Sequence, residues 1–108
     1  MSLVLLAPRA ERDLEKIARY ISVDNLTAAL RVIEALHATF QFLSHHPGCG
    51  RSEARLAPGL CVFPGLRPAQ RYVILYRVCS EGIEIAGVVH GSQNWQASRS
   101  ESTEVDES

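Results

Sequence analysis

The chain has 108 residues, 46% of them hydrophobic, and a formal net charge of -1 at pH 7, which fits one domain with a single core. The near-neutral charge argues against a general nucleic-acid-binding protein, because such proteins neutralise phosphates with an excess of Lys and Arg. Three cysteines form no paired framework, and the apolar run at residues 3–7 is too short for a signal peptide or a membrane span, so we expect a cytoplasmic protein with free thiols.

Charge is distributed unevenly along the chain. Residues 96–108 contain one arginine, four acidic residues and no aromatic residue, a composition typical of disorder. Lys16 is the only lysine, and the other ten basic residues are arginine. Because a guanidinium binds carboxylates and phosphates through paired hydrogen bonds, this bias favours recognition, although codon bias in a GC-rich genome explains it equally well. We expect a folded domain at residues 1–95 and an acidic, Ser-rich, disordered tail at 96–108.

The first half of the chain predicts a strand followed by a helical hairpin. The apolar run at residues 3–6 predicts a short buried strand, and Pro8 suits the first turn of a helix. Apolar residues then recur at helical spacing, first up to Ile21 and again from Leu26 to Leu43, with Asp24 or Asn25 as the cap between the two helices. Two helices joined by so short a turn pack antiparallel.

The second half predicts a small sheet. A loop with several Pro and Gly residues precedes a short strand at residues 60–63. Residues 71–78 and 83–90 are rich in β-branched and aromatic side chains and are joined by a tight turn with Gly82. The order β-α-α-β-β-β predicts an α+β two-layer domain in which the helical hairpin packs on a small antiparallel sheet.

Alternation along residues 71–78 separates the two faces of this predicted strand. Ile74 and Tyr76 lie on the face expected to pack on the helices, and Tyr72 shares it. Arg71 and Arg77 lie on the opposite face, which we expect to be partly open and to carry the function.

An ordered series of segments covers roughly residues 3–94. In chain order these are "A.RDLEKIARYI", "DN..AA.RVIEAL", "HPGCGR", "L.PGL", "FP", "RYVILYRV" and "EGIEIAGVVHG". In this order and spacing the chain resembles the ParE branch of the ParE/RelE superfamily of bacterial type II toxins.

The resemblance implies the toxin of a toxin–antitoxin system, held silent by a cognate antitoxin in a hetero-oligomer. ParE-type members act on DNA gyrase rather than cutting RNA, so the implied activity is that of an inhibitor and not of an enzyme. It implies no cofactor, no membrane and no direct sequence-specific nucleic-acid binding by the toxin alone. Cys61 and Gly87 stand where the family has basic residues, and the connector after Pro64 is longer than usual. These losses leave a detoxified antitoxin-binding module as an alternative.

Five residues are candidates for partner binding: Arg51, Arg71, Arg77, His90 and Trp95. The arginines can clamp an anion, either antitoxin carboxylates or nucleic-acid phosphates. Alternatively, they cap the sheet or pair across the hairpin with Glu84. Trp95 ends the predicted domain, where it either meets a partner or closes the sheet edge.

A ribosome-dependent endoribonuclease of the RelE kind is the alternative function, with Arg71, Arg77 and His90 as the catalytic set. Histidine suits proton transfer at neutral pH. RNA cleavage also requires a base for the 2′-hydroxyl, cations for the phosphate and an acid for the leaving group. Since the only lysine lies in the first helix, the sequence favours a binding or structural role for His90.

His45, His46 and Cys49 look like metal ligands, but adjacent histidines rarely point at one ion, and no second cluster follows at zinc-finger spacing. We expect the end of a helix and a turn there, and no metal site.

Overall fold

In the computed structural model, which describes residues 3–92, two helices cover one face of a five-stranded sheet. The elements are β1 (Leu3–Leu6), α1 (Pro8–Ser22), α2 (Leu26–His45), a 3-10 turn (Pro47–Cys49), β2 (Arg51–Ser52), β3 (Leu60–Pro64), β4 (Tyr72–Cys79) and β5 (Gly82–His90). The strand order across the sheet is β1-β5-β4-β3-β2. The predicted two-layer α+β architecture and element order are therefore confirmed.

The sheet differs from the prediction at both edges. β1 runs parallel to β5, from Leu3 opposite Gly82 to Leu6 opposite Ile85, so the sheet is mixed. Both helices lie between β1 and the rest of the sheet in the chain, so no tight turn forces an antiparallel pair. β1 is also an edge strand rather than a buried one, with Leu3 and Leu5 more than 40% exposed. At the other edge, β2 pairs with β3. β2 lies within the segment predicted to be a loop, and its two residues are too few to show the alternation of a strand.

The helical hairpin forms as its sequence pattern predicts. Asn25, one of the two expected caps, begins α2 by accepting a hydrogen bond at its Oδ1 from the N–H of Ala28, at 3.0 Å. The residues that the two helices bury are Ala10, Leu14, Ile17, Ala29, Ala35, Leu36, Thr39, Phe40, Leu43 and Ser44. Leu26, at the start of the predicted apolar stripe, is instead 64% exposed.

The main core lies between the hairpin and the inner face of the sheet. It includes Ile74 and Tyr76 of β4 and Ile83 and Ile85 of β5, all of which are fully buried. The inward orientation predicted for the alternate residues of β4 is confirmed for Ile74 and Tyr76.

Thr39 ties the long β3–β4 connector to α2. Its buried hydroxyl donates a hydrogen bond to the carbonyl of Ala35 at 2.7 Å and accepts one from the N–H of Leu66 at 2.9 Å. Both capacities of the hydroxyl are thus used inside the fold, which offsets the cost of burying it.

The outer face of the sheet carries a second, smaller core. Leu60, Val62, Leu75 and Ala86 are buried there, and the segment at residues 53–59 contributes Leu56 and Ala57 against them. The face expected to be partly open is thus covered at its centre, because alternate apolar residues of β3, β4 and β5 need a cover that this segment supplies.

None of the helices in residues 3–92 combines the length and the apolarity needed to cross a bilayer. The predicted domain boundary at residue 95 and the predicted disordered tail at 96–108 lie outside the described residues.

Tyr76 joins the core to the turn after α2. Its hydroxyl donates to the carbonyl of Pro47 at 2.8 Å and accepts from the N–H of Gly50 at 2.9 Å. A Cβ at position 50 would overlap the Tyr76 ring, so only glycine permits this approach. Burial raises the pKa of Tyr76 above its ordinary 10.0, although the hydrogen bond from Gly50 opposes the shift.

We expect Tyr76→Phe to lower the free energy of unfolding by about 1–3 kcal/mol, because it leaves the Gly50 N–H and the Pro47 carbonyl without their partner. Since the folded protein holds this phenolic proton more tightly than the unfolded chain, wild-type stability should fall as pH rises above about 10, and less steeply in the variant. Urea denaturation at about pH 8 and about pH 11 measures both effects. Tyr20→Phe, at a position 80% exposed, is the control and should change neither; equal losses in the two variants would contradict the role of the buried hydroxyl.

Candidate functional site

An open groove of about 1000 Å³ lies where α1 faces the end of β5 and the start of β4. We call it the basic groove. Its polar and aromatic lining residues are Arg9, Asp13, Lys16, Tyr20, Gln70, Arg71, Tyr72, His90 and Ser92. Three permanent cations face a single carboxylate, so the lining carries a net positive charge.

The groove exists because β5 is longer than the strand beside it. β1 ends at Leu6, opposite Ile85, whereas β5 continues to His90. Within residues 3–92, no strand pairs with this edge of β5 beyond Ile85, and α1 runs past it instead. Side chains of α1 therefore replace a neighbouring strand along this edge.

A β-bulge sets which backbone group of β5 meets α1. Leu75 pairs with Gly87 and Tyr76 pairs with Ile85, so Ala86 is an extra residue in β5. The extra residue shifts the alternation, and the N–H of Val88 points to the free edge. That N–H donates to Oδ2 of Asp13 at 2.9 Å.

Arg9 completes this contact from the same helix. Its Nε lies 3.4 Å from Oδ2 of Asp13, in a pair one helical turn apart. A Cβ at position 87 would lie 3.1 Å from Oδ2 of Asp13 and 3.4 Å from Nε of Arg9. Gly87, which stands where the family resemblance leads to a basic residue, thus leaves room for an arginine that comes from α1.

His90 and Tyr72 meet at the strand end of the groove. Their rings are in edge contact, with centroids 5.3 Å apart. Nδ1 of His90 accepts from the N–H of Ser92 at 3.1 Å and lies 2.6 Å from the Ser92 hydroxyl. Because the backbone N–H must donate, the neutral imidazole carries its proton on Nε2.

Burial raises the pKa of Tyr72 above its ordinary 10.0; neighbouring Tyr20 adds to the rise, and Arg71 opposes it. The Tyr72 hydroxyl therefore stays protonated at neutral pH. It can donate a hydrogen bond to a ligand but is unsuited to act as a general base. Tyr72 was predicted to belong to the core, and it both packs against the core and lines the groove.

The four candidate residues within residues 3–92 do not form one site. Arg71 and His90 both line the basic groove. Arg77 lies on the outer face, where its Nε donates to the carbonyl of Pro58 at 3.3 Å. Arg51 is exposed on β2 and forms an ion pair with Glu53 at 3.0 Å. Trp95 lies outside the described residues.

Of the alternative catalytic set, Arg71 and His90 lie in the basic groove, whereas Arg77 lies apart from both. His90 pairs with Tyr72, and Arg77 lies five residues further along β4, a distance of about 17 Å at the rise of a β-strand. The Arg77 guanidinium is instead held against the carbonyl of Pro58, away from the groove that His90 lines.

The groove residues on α1 were missed by the sequence analysis. Arg9, Asp13, Lys16 and Tyr20 follow one another at intervals of four, three and four residues, which places them on one face of the helix. That polar stripe was visible in the sequence, but a polar helix face is usually solvent-exposed, and nothing local shows that a strand end lies beside it.

The described part of the chain, residues 3–92, brings no three His, Cys, Asp or Glu side chains together in a way that could hold a metal ion. His46, one of the three residues with a metal-like pattern, follows α2 directly, and its ring lies against that of Phe42, with centroids 4.8 Å apart.

Comparison with known proteins assigns the chain to a family. The family described as the ParE toxin of the type II toxin–antitoxin system, parDE, matches residues 4–95. The chain belongs to the ParE toxin family. It is a type II toxin, and membership implies an antitoxin as its partner. The resemblance recognised in the sequence is confirmed.

Relatives and a solved structure agree with this assignment. The chain is 34% identical over 90 residues to Toxin RelE3 of Caulobacter vibrioides, covering 83% of this chain and 95% of that protein. It is 32% identical over 87 residues to Putative toxin Y4kP of Sinorhizobium fredii, covering 81% and 85% of the two chains. A structure described as the chromosomal ParDE TA system from P. aeruginosa matches with a TM-score of 0.66 at 22% identity, over 83% of this chain and 96% of that one; this likeness concerns the fold.

We expect Asp13→Ala to lower the free energy of unfolding by about 1–3 kcal/mol, because the edge N–H of Val88 and the guanidinium of Arg9 both lose their acceptor. Glu15→Ala is the matched control, since the exposed pair between Glu15 and Arg19 should contribute at most about 0.5 kcal/mol. Chemical denaturation of the two variants compares them directly. Equal effects would show that the Asp13 contact does not hold α1 to the edge of β5.

Proposed function

We propose that this ParE-family toxin inhibits DNA gyrase by binding it, and that it catalyses no reaction of its own. One observation carries the choice between an inhibitor and a ribonuclease. The candidate catalytic set does not assemble as a whole around His90, since Arg77 lies about 17 Å away along the strand.

The groups that do lie near His90 are poorly suited to act as a general base. Nδ1 of His90 is engaged by Ser92, and the raised pKa of Tyr72 keeps its phenol protonated at neutral pH. Lys16 and Arg71 supply positive charge in the groove, but charge alone binds an anion without moving protons. These features favour a binding surface, and among toxins of the ParE type the target is gyrase.

The basic groove is the surface we assign to the target. The family resemblance leads to a basic residue at position 87, where this chain has Gly87. A toxin without that charge would be expected to bind its target more weakly, and this is the argument for a detoxified module. Here Arg9 occupies the space beside Gly87, so a guanidinium is still present at that point, partly neutralised by Asp13. This replacement favours an active toxin.

In a gyrase assay with ATP and relaxed plasmid, we expect the purified chain to reduce supercoiling and to accumulate protein-linked double-strand breaks. Lys16→Glu/Arg71→Glu should weaken inhibition by at least about tenfold, because it reverses two groove charges. Arg12→Glu/Arg31→Glu makes the same change in net charge at exposed helix positions outside the groove and should leave inhibition unchanged.

Two results would overturn the proposal. Normal supercoiling in the presence of the folded chain, together with cleavage of ribosome-bound mRNA that His90→Ala abolishes, would assign the ribonuclease activity. Normal supercoiling without mRNA cleavage, from a chain that still binds its antitoxin and is harmless when expressed alone, would assign the detoxified module.

An apolar patch at the turn of the helical hairpin is the surface we assign to the antitoxin. Val23 is 83% exposed, and Leu26 and Leu30 are 64% and 57% exposed. Leu26 and Leu30 are one helical turn apart and share a face of α2. Tyr20, three residues before Val23 in the chain, lines the basic groove. An amphipathic antitoxin helix would bury this patch and could continue as an extended acidic segment toward Arg71 or Arg77.

We expect Leu26→Glu to weaken binding of the antitoxin encoded beside the toxin by about 30-fold or more, since centrally placed apolar anchors dominate such interfaces. Leu5→Glu, at an exposed leucine of the edge strand β1 outside the hairpin patch, is the control and should bind normally. Isothermal titration calorimetry measures both affinities, and Arg77→Glu in the same series tests whether the outer face takes part. Normal binding by Leu26→Glu would exclude the hairpin patch.

A further inference from the structure

The last residues of β5 turn part of their backbone toward the basic groove. The N–H of Gly91 donates to the carbonyl of Arg71 at 2.7 Å, so residue 91 faces the side of the sheet on which β4 lies. Since successive residues of a strand face opposite edges, both backbone groups of His90 face the other way, toward α1. The carbonyl of Val88, two residues earlier, faces the same way.

Asp13 satisfies one group on this edge and leaves the others open. Within residues 3–92, the only hydrogen bond to the edge beyond Ile85 runs from the N–H of Val88 to the carboxylate of Asp13. The carbonyl of Val88 and the N–H and carbonyl of His90 have no partner in this part of the chain. One donor and two acceptors are thus available to a ligand in the groove.

An extended peptide is the ligand whose chemistry matches these open groups. The two carbonyls are two residues apart, about 7 Å along the strand, and an extended peptide presents donors and acceptors along its edge at the same spacing. The phosphates of a nucleic acid only accept hydrogen bonds, so they cannot satisfy two carbonyls. The open edge therefore favours a peptide that adds to β5 as a short strand.

The charge of the groove favours acidic side chains on that peptide. Lys16 comes from α1 and Arg71 from the residue just before β4, and both line the groove. Neither forms an ion pair within residues 3–92. Two unpaired cations suit a pair of carboxylates, whereas a groove for nucleic acid follows the backbone with a longer series of positive charges.

The helical wall of the groove also offers apolar surface. Ile17, Ile21 and Val32 line it, together with Tyr20, which is 80% exposed. An extended peptide directs alternate side chains to opposite sides. One set of its side chains can therefore pack on this wall while the backbone pairs with β5.

We propose that the basic groove binds an extended acidic segment of the gyrase protein itself, added as a strand to the open edge at residues 88–90, and not the DNA that gyrase holds. This inference rests on the proposed function, which takes gyrase as the target, and adds the chemistry of the contact. Asp13 limits the added strand, because it already occupies the N–H of Val88. Carboxylates of the segment pair with Lys16 and Arg71.

Purified gyrase without DNA separates protein recognition from DNA recognition. We expect the chain to bind it in biolayer interferometry, and Lys16→Glu/Arg71→Glu to raise the Kd at least about tenfold. Arg12→Glu/Arg31→Glu, which changes the net charge equally outside the groove, should leave the Kd unchanged. Binding that appears only when DNA is added to gyrase would overturn the proposal. So would binding to a DNA duplex alone that the groove variant loses.

His90→Pro tests the added strand directly. Proline removes the N–H that faces the open edge and leaves the backbone of Val89 and Gly91, which faces β4, in place; proline is tolerated at such edge positions. His90→Ala is the matched control, since it removes the imidazole and keeps the N–H. We expect His90→Pro to bind DNA-free gyrase about fivefold more weakly than His90→Ala. Equal affinities of the two variants, both shown by circular dichroism to be folded, would overturn the strand addition.

Hydrogen–deuterium exchange on the wild type gives an independent answer that does not depend on the fold of a variant. The N–H of His90, which has no partner within residues 3–92, should exchange rapidly in the free chain and severalfold more slowly in the complex with DNA-free gyrase. Unchanged exchange at His90 in a saturated complex would overturn the proposal.

The supercoiling assay on the same variants distinguishes this inference from the proposed function. Inhibition that is equally strong in His90→Pro and His90→Ala would leave gyrase as the target and overturn the added strand. Normal supercoiling together with no binding to DNA-free gyrase would overturn both. Weaker antitoxin binding by His90→Pro, with gyrase binding unchanged, would assign the open edge to the antitoxin and overturn the proposal as well.

Discussion

The hydrogen bond from the N–H of Val88 to the carboxylate of Asp13 joins the helical layer to the sheet. It lies at the part of β5 that extends beyond the end of β1. β5 extends beyond the end of β1. The backbone N–H and C=O groups along this extension need hydrogen-bond partners, or they remain open to water or to another chain. One side chain of α1 meets that need at the N–H of Val88. With the edge held in this way, the polar face of α1 and the end of the sheet become the two walls of one groove.

The groove's charge follows from the same contact. The carboxylate that accepts a hydrogen bond from Val88 also forms an ion pair with Arg9, which partly neutralises the charge of Arg9. Lys16 and Arg71 form no ion pair within the described residues. Glycine at position 87 is part of the arrangement, because a larger residue there would crowd both Asp13 and Arg9. The guanidinium beside position 87 is thus supplied by α1.

The arginines that the sequence singles out serve two different surfaces. Arg71, just before the start of β4, and His90, at the end of β5, both line the groove. Arg77 lies on the outer face, where its side chain contacts the backbone carbonyl of Pro58. Alternation predicted Arg71 and Arg77 on the same outer face, and this was wrong for Arg71, which precedes β4 and lines the groove beside α1. Alternation also says nothing about the segment at residues 53–59, which folds over the outer face and covers its centre. Two separate basic surfaces are more typical of a protein that binds more than one macromolecule than of an enzyme, whose catalytic groups converge on one reacting atom.

By itself the sequence determined the helical hairpin, four of the five strands, the inward face of β4 and the family. These depend on spacings of two and of three to four residues and on an ordered series of segments, all of which are local in the chain. Only the tertiary structure decided that β1 joins the sheet in parallel and that a bulge at Ala86 turns Val88 toward Asp13. It also decided that Arg9, Lys16 and Tyr20 line the groove. The contact between Asp13 and Val88 spans 75 residues, and no local pattern records which strand edge a helix face will meet.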